Sequence, residues 1–200
     1  MNSVQTDNSH FEVKIKLRVD NLPKGPCRVL DCFAGNSRIW NAIKKRHPEK
    51  HIDVLQIERK KDRHGVYLVG DNSKFLPSLS LDQFNVIDLD SYGVPYKQLS
   101  WLFTAVHGNP KTIFVTFIQS VYGKLPTGLL ADLSYSASMV AKCPTLFNSK
   151  GFEKLKLYLA LNGVEQIRHY RDYTGRKHYL CFILTTKEKG VKSKKQVDSR

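Results

Sequence analysis

Fourteen residues, Cys27-Arg-Val-Leu-Asp-Cys-Phe-Ala-Gly-Asn-Ser-Arg-Ile-Trp40, restrict what this chain can fold into more than any other part of it. A short apolar run ends in an acid, Asp31. A turn of small residues follows, Ala34 to Ser37, and then an amphipathic stretch with Ile39, Trp40 and Ile43. That order predicts strand, tight turn and helix. Gly35 falls where the backbone must come close to a ligand at the carboxyl end of a parallel strand. A carboxylate at Asp31 suits an ammonium or hydroxyl group and would repel a pyrophosphate. Ser37 is placed to cap the following helix.

The rest of the chain extends this unit. Phe11 to Val19 alternates strictly, with Phe11, Val13, Ile15, Leu17 and Val19 on one side and Glu12, Lys14, Lys16 and Arg18 on the other, which predicts a half-buried strand. Asn21 to Pro26 is a turn cluster. Strands are predicted over 28–32, 52–58, 66–69, 84–89 and 112–117. Helices are predicted from Ser37 to before Pro48, from Pro95 to about Val106, over 127–142 and over 151–162. Residues 166–173 and 177–185 read as a terminal hairpin. Only the charged segment 59–65 joins the strands at 52–58 and 66–69. A parallel crossover needs roughly ten or more residues, so this link is either a reduced crossover or a hairpin.

The pattern Val29-Leu-Asp-x-Phe-x-Gly35 resembles the first motif of the class I S-adenosylmethionine (SAM) dependent methyltransferases, with Ser37 where that family usually has a second glycine. The resemblance implies an α/β, Rossmann-like fold: a mostly parallel seven-stranded sheet with a C-terminal antiparallel hairpin. It also implies SAM as cofactor. The cofactor-binding set would be Asp31, Phe33, Gly35 and Ser37, then Glu58 on the ribose hydroxyls, Asp71 and Asn72 near the adenine, and Asp88. Glu58 lies 27 residues after Asp31, comparable with the roughly twenty of the dinucleotide fingerprint. A carboxylate there suits two neighbouring hydroxyl donors.

The chemistry follows from Ile87-Asp-Leu-Asp-Ser-Tyr-Gly-Val-Pro95. Acceptors aimed at the N–H groups of a base amine favour its nucleophilic form as positive charge develops, and an aromatic ring can stack on the extruded base. Asp90 and Tyr92 fit these roles, with Asp88 as the rival catalytic acid. Asp90-Ser-Tyr-Gly-Val-Pro95 resembles the Asp-Pro-Tyr/Phe-Gly-x-Pro segment of the tRNA guanine-N2 dimethyltransferases, with Ser91 in place of proline, and the strand from His178 to Leu184 is loosely similar to the same family. The implied function is methylation of a nucleic-acid base amine, with RNA favoured over DNA. Two other readings stay open: a non-catalytic nucleic-acid-binding protein on a degenerate methyltransferase fold, and a methyltransferase of protein or small molecules.

Charge supports a polyanionic partner. The formal net charge is +14, a field that speeds encounter with nucleic acid and supplies phosphate contacts. Residues 187–200 carry six basic and two acidic side chains and read as a disordered basic tail. Residues 1–10 read as a disordered N-terminus, leaving 11–186 as one methyltransferase domain. Phosphate contacts are expected from Arg59, Lys60, Lys61 and Arg63, which leave the second strand, and from Arg176 and Lys177. Four cysteines without Cys-x-x-Cys spacing indicate reduced thiols in a cytoplasmic setting and no zinc site. No metal ligand set is visible. No window approaches the roughly 18 to 20 apolar residues of a membrane span, and the polar N-terminus has no signal-peptide core. Cys143-Pro144 reverses the order of a cytosine-C5 nucleophile motif, and the Gly35 turn lacks the later glycines of a nicotinamide site.

Overall fold

The computed structural model describes residues 10–59, 67–119, 123–172 and 175–185, with Tyr67 as backbone alone. Of the expected disordered N-terminus 1–10 all but His10, the expected tail 187–200, and Lys60, Lys61 and Arg63 lie outside the described residues.

Seven strands form one sheet: β1 (Cys27–Asp31), β2 (Ile52–Glu58), β3 (Tyr67–Val69), β4 (Val86–Leu89), β5 (Lys111–Ile118), β6 (Arg168–Arg171) and β7 (Lys177–Leu184), in the order β3-β2-β1-β4-β5-β7-β6. β1 to β5 are parallel, and β7 runs antiparallel to both β5 and β6. β2 and β3 pair in parallel, with Glu58 opposite Val69. Parallel pairing excludes the hairpin alternative for their link, whose residues 60–66 lie outside the described residues.

The central strands are apolar on both faces because helices cover both faces. Val29, Val86 and Phe114 point towards Ile15, Trp40 and Ile43, from helices α1 (Phe11–Val19) and α2 (Arg38–Arg46). Leu30, Ile87, Ile113 and Val115 point the other way. They meet Leu99 and Leu102 of α4 (Tyr96–Ala105), Leu129 and Leu130 of α5 (Thr127–Asp132), and Leu155 and Leu159 of α8 (Gly151–Leu161). Each such buried side chain contributes about 1.5–3 kcal/mol.

Two expectations are corrected. Phe11–Val19 is a helix, not a strand. Its strict alternation is coincidental to the packing: the residues it buries are Lys14, Ile15 and Arg18, at helical spacing. The cations face inward because Asp88 and Asp90 meet them there. Arg46 of α2 grips Glu12 with both guanidinium nitrogens, at 2.6 and 2.9 Å, and so clamps the first turn of α1 to α2. The predicted helix 127–142 is two helices, α5 and α6 (Ala137–Lys142). Ser134 adopts a left-handed φ of 65° between them, and the Ser136 hydroxyl caps the second by accepting the Met139 N–H. Two short helices complete the chain, α3 (Asn72–Phe75) and α7 (Pro144–Asn148). Among the described residues no helix is long and apolar enough to cross a membrane.

Candidate active site at the carboxyl edge of the sheet

Strand order reverses between β1 and β4, so their carboxyl ends diverge and leave a crevice, the usual ligand position of an open α/β sheet. The sequence-predicted acids lie at or just beyond the carboxyl ends of the first four strands. Asp31 ends β1, Glu58 ends β2, Asp71 follows β3, and Asp88 and Asp90 lie in and just beyond β4.

The turn after β1 is built on backbone bonds. The Cys32 N–H donates to Asp88 O, the Ala34 N–H to Ile57 O and the Ser37 N–H to Ala34 O. Gly35 has φ 53°, and its N–H donates to Glu58 Oε2 at 2.7 Å. The β2 carboxylate thus touches the glycine turn directly. Ser37 also takes a left-handed φ, 57°, and its side chain makes no capping hydrogen bond. The expected cap is therefore corrected. Ser37 occupies a backbone region that a glycine would enter without a Cβ penalty. Phe33 is partly buried beside the core, and its N–H donates to Asp31 Oδ1 at 3.3 Å.

Beyond β3, Asp71 caps α3 by accepting the Ser73 N–H and hydroxyl, at 2.9 and 2.8 Å. These bonds hold its carboxyl below the ordinary range. Asn72 is buried and bridges elements: its amide donates to Cys32 O, and its carbonyl accepts from Gln98 of α4, both at 2.7 Å.

The densest part lies beneath α1. Asp88 is 1% exposed. Its two oxygens accept Arg18 Nε and Nη2, each at 2.7 Å, and Trp40 Nε1 at 2.8 Å. Arg18 in turn donates to Lys14 O and lies over the Phe114 ring. Asp90 accepts Lys14 Nζ at 2.9 and 3.0 Å and the Thr116 hydroxyl. Burial works to raise Asp90, but Lys14 and Arg18 outweigh it and hold the carboxyl below its ordinary value. Burial pushes Asp88 up, against the opposing pull of Arg18. Arg18 is raised: burial works downward, and Asp88 and Asp90 overcome it. Among the described residues Asp31 forms no ion pair. Burial, with the charge of Asp88 and Asp90 beside it, pushes its carboxyl well above the usual range. Three carboxyls therefore face two cations, and the one at the glycine turn is left uncompensated.

Tyr92 is 80% exposed, on a turn fixed by Ser91 N–H to Leu89 O and Ile118 N–H to Gly93 O. Ser91 is buried and bonds Thr116 O. Arg59 is exposed just after β2; Arg176 immediately precedes β7, Lys177 begins it, and Arg176 O accepts the Gln119 N–H. Cys27, Cys32 and Cys181 are buried free thiols, and Cys143 is exposed between α6 and α7. Among the described residues no cluster of His, Cys, Asp or Glu could hold a metal.

Sequence reasoning missed Lys14, Arg18, Trp40 and Thr116 as members of this site. For the first two a signal existed: cations four apart share a helix face.

No family model matches this sequence, and no curated protein matches it. Solved structures do. Precorrin-6y C5,15-methyltransferase from Geobacter metallireducens is 8% identical, with a TM-score of 0.53, over 93% of this chain and 92% of its own. A Plasmodium falciparum protein assigned as a ribosomal RNA methyltransferase is 14% identical, with a TM-score of 0.53, over 88% and 96%. A Methanococcus maripaludis protein assigned as a SAM-dependent methyltransferase is 11% identical, with a TM-score of 0.51, over 94% and 99%. At such identities the likeness establishes the fold: this chain has the Rossmann-like, seven-stranded architecture found in methyltransferases.

Proposed function

We propose that this protein is a SAM-dependent methyltransferase that acts on nucleic acid at a base exocyclic amine, with RNA favoured. The observation that carries the cofactor half is the uncompensated, buried Asp31 carboxyl at the Gly35 turn. A ligand ammonium placed there would balance the third carboxyl against the two cations of α1. Glu58, held against the turn by the Gly35 N–H, would take the ribose diol. Ser37 is the one departure from a good fit, since its Cβ stands where a glycine turn would be open. When bound, the cofactor supplies an electrophilic methyl group.

The rest belongs to the chain's own residues. Asp88, saturated by three N–H donors, anchors α1 and α2 to β4. Asp90 is the substrate-facing acid: Lys14 and Thr116 keep it ionised and aimed, as an acceptor for amine N–H bonds must be. Tyr92 stands free on its turn, where a base can stack. Arg59, Arg176 and Lys177 of the described residues, with Lys60, Lys61 and Arg63, would contact phosphates. The domain spans 11–186 in this reading.

Calorimetry with SAM, followed by tritium transfer from labelled SAM to RNA, DNA and protein pools, is the test. Binding heat and label in RNA are expected. Label in protein alone overturns the base-amine assignment. Absence of heat favours a non-catalytic nucleic-acid binder, the reading to which the left-handed Ser37 points.

A further inference from the structure

A second cleft opens on the same edge of the sheet, beside β5 and away from the glycine turn. It encloses about 480 Å³ between the start of α8 and the β6–β7 hairpin. Its floor is aromatic. Phe152 stacks on His178 at 3.8 Å between centroids and on His169 at 4.5 Å, and Phe117 meets His178 edge-on. Its rim is basic, with Lys150, Lys156, Arg171 and Arg176. Lys156 is paired with Glu153 at 2.7 Å. Among the described residues Lys150, Arg171 and Arg176 form no ion pair. The Arg171 guanidinium lies directly over Gly175, so close that a Cβ there would strike it. Glycine at this turn leaves room for Arg171, which lines the cleft with it.

The histidines have assigned roles. His178 Nε2 lies 3.1 Å from Gly175 O, and a carbonyl only accepts, so this nitrogen carries a proton. In neutral His178 the Nδ1 then accepts, and His169 Nε2 donates to it at 2.9 Å. Burial lowers His178 to about 4, against the upward pull of the Gly175 carbonyl and with the help of Arg171, and burial with Lys156 and Arg171 lowers His169, against the upward pull of Glu153. Asp172, buried at the hairpin, is turned to its own backbone and accepts the Arg176 and Lys177 N–H groups. The surplus charge at the cleft is positive.

The cleft also adjoins the Tyr92 turn. Ile118 binds Gly93 O, and the next residue, Gln119, lines the cleft and takes the Arg176 carbonyl through its N–H. We propose that this cleft binds a phosphate group, and that the phosphate belongs to the nucleic acid strand whose base is presented at Asp90 and Tyr92. The phosphate half rests on the cleft alone; the strand half rests on the function proposed above. Lys150, Arg171 and Arg176 bind the anion, and His169 supplies a further donor on protonation. Affinity then rises as pH falls below the ordinary histidine range. Glu153, Lys156, Arg171, Asp172, Arg176, Lys177 and Lys150 are the charged groups that face or flank the pair and set that response.

The test uses the full chain and a fluorescent single-stranded RNA oligonucleotide. In Arg171→Gln/Arg176→Gln the slope of log affinity against log salt should fall by about 1.4, since each lost contact with a single strand removes about 0.7. SAM binding should be unchanged. An unchanged slope overturns the proposal. Histidine ring resonances give a second readout in the unaltered protein: RNA should shift His169 and His178, and no shift overturns it. Inorganic phosphate alone is the other arm. If millimolar phosphate moves both rings as fully as RNA does and RNA does not compete with it, the strand assignment falls. If the slope falls as expected in a protein that gives no heat with SAM, the cleft stands and the methyltransferase reading fails.

Discussion

The carboxyl edge of the sheet holds two regions that treat charge in opposite ways. Under α1, carboxyls are in excess: Asp31, Asp88 and Asp90 face Lys14 and Arg18, and most of these groups are buried. At the β6–β7 hairpin, cations are in excess around two neutral histidines, and the guanidinium groups reach solvent. β5 joins the two. Thr116 bonds Asp90 on one side of the strand, and Phe117 forms the cleft floor on the other. Among the described residues the first region has one carboxyl, Asp31, outside its ion pairs, and the second has three cations, Lys150, Arg171 and Arg176, outside any. Under the function proposed above, the first would take the cationic group of a sulfonium cofactor and the second the phosphate of a nucleic acid strand.

The largest expected effect is at Arg18. Arg18→Met leaves Asp88 buried and unpaired, and breaking a buried pair from one side costs about 3–5 kcal/mol. A urea melt should show this loss, while Arg176→Gln at the other region should change stability by less than about 0.5 kcal/mol. Equal effects would mean that the Arg18 cluster is not the buried anchor described here.

Chemistry comes next. Asp90→Ala should lower turnover by about a hundredfold or more, because its acceptor acts on charge that develops in the transition state. Single-turnover measurement checks this, and full activity excludes Asp90 as the acceptor. Tyr92→Ala should instead weaken nucleic-acid binding by about 1–3 kcal/mol through lost stacking, with little change in stability for so exposed a side chain.

Asp31 sharpens the contrast because its two effects have opposite signs. Asp31→Asn should weaken SAM binding by about 1.5–3 kcal/mol, the worth of a charge-assisted hydrogen bond. It should not destabilise the free protein, since a raised carboxyl is a site of unfavourable burial. The sign follows from linkage. A carboxyl raised in the folded state binds more protons there than in the unfolded chain. Its contribution to stability is present below the unfolded value and is lost as pH rises through the folded one. A bound ammonium reverses the shift, so SAM binding near the folded value should release a proton. Calorimetry in buffers of different ionisation enthalpy measures that release, and in Asp31→Asn it should vanish. The smallest expected effect is at Ser37. Ser37→Gly removes the left-handed penalty of about 1–2 kcal/mol but adds chain entropy to the unfolded state. The net is a gain of up to about 1 kcal/mol, read from a thermal melt, with tighter SAM binding.

The parallel core was legible because strands buried on both faces read as apolar runs: Val29-Leu30, Val86-Ile87 and Ile113 to Val115. The Asp31–Gly35 turn was legible because its punctuation is local. Phe11–Val19 was misread because its period-2 pattern is real in the sequence but unused in the fold. A short apolar–cationic segment suits either period, and the partners that choose between them are 70 and 76 residues away. The His169–His178–Phe152 stack was equally hidden, since it joins the terminal hairpin to the start of α8.

The features that the sequence carried by itself were short-range ones: the strand–turn–helix unit, the alternation of strands and helices from β1 onward, the acids at or just after the ends of the first four strands, and the basic excess. Tertiary structure decided which charges are neutralised. It placed Lys14 and Arg18 against Asp88 and Asp90, and among the described residues it left Asp31, Arg171 and Arg176 outside any ion pair. The physical reason is that desolvation and ion pairing depend on distances between residues far apart in the chain, and no local pattern of residue types encodes those distances.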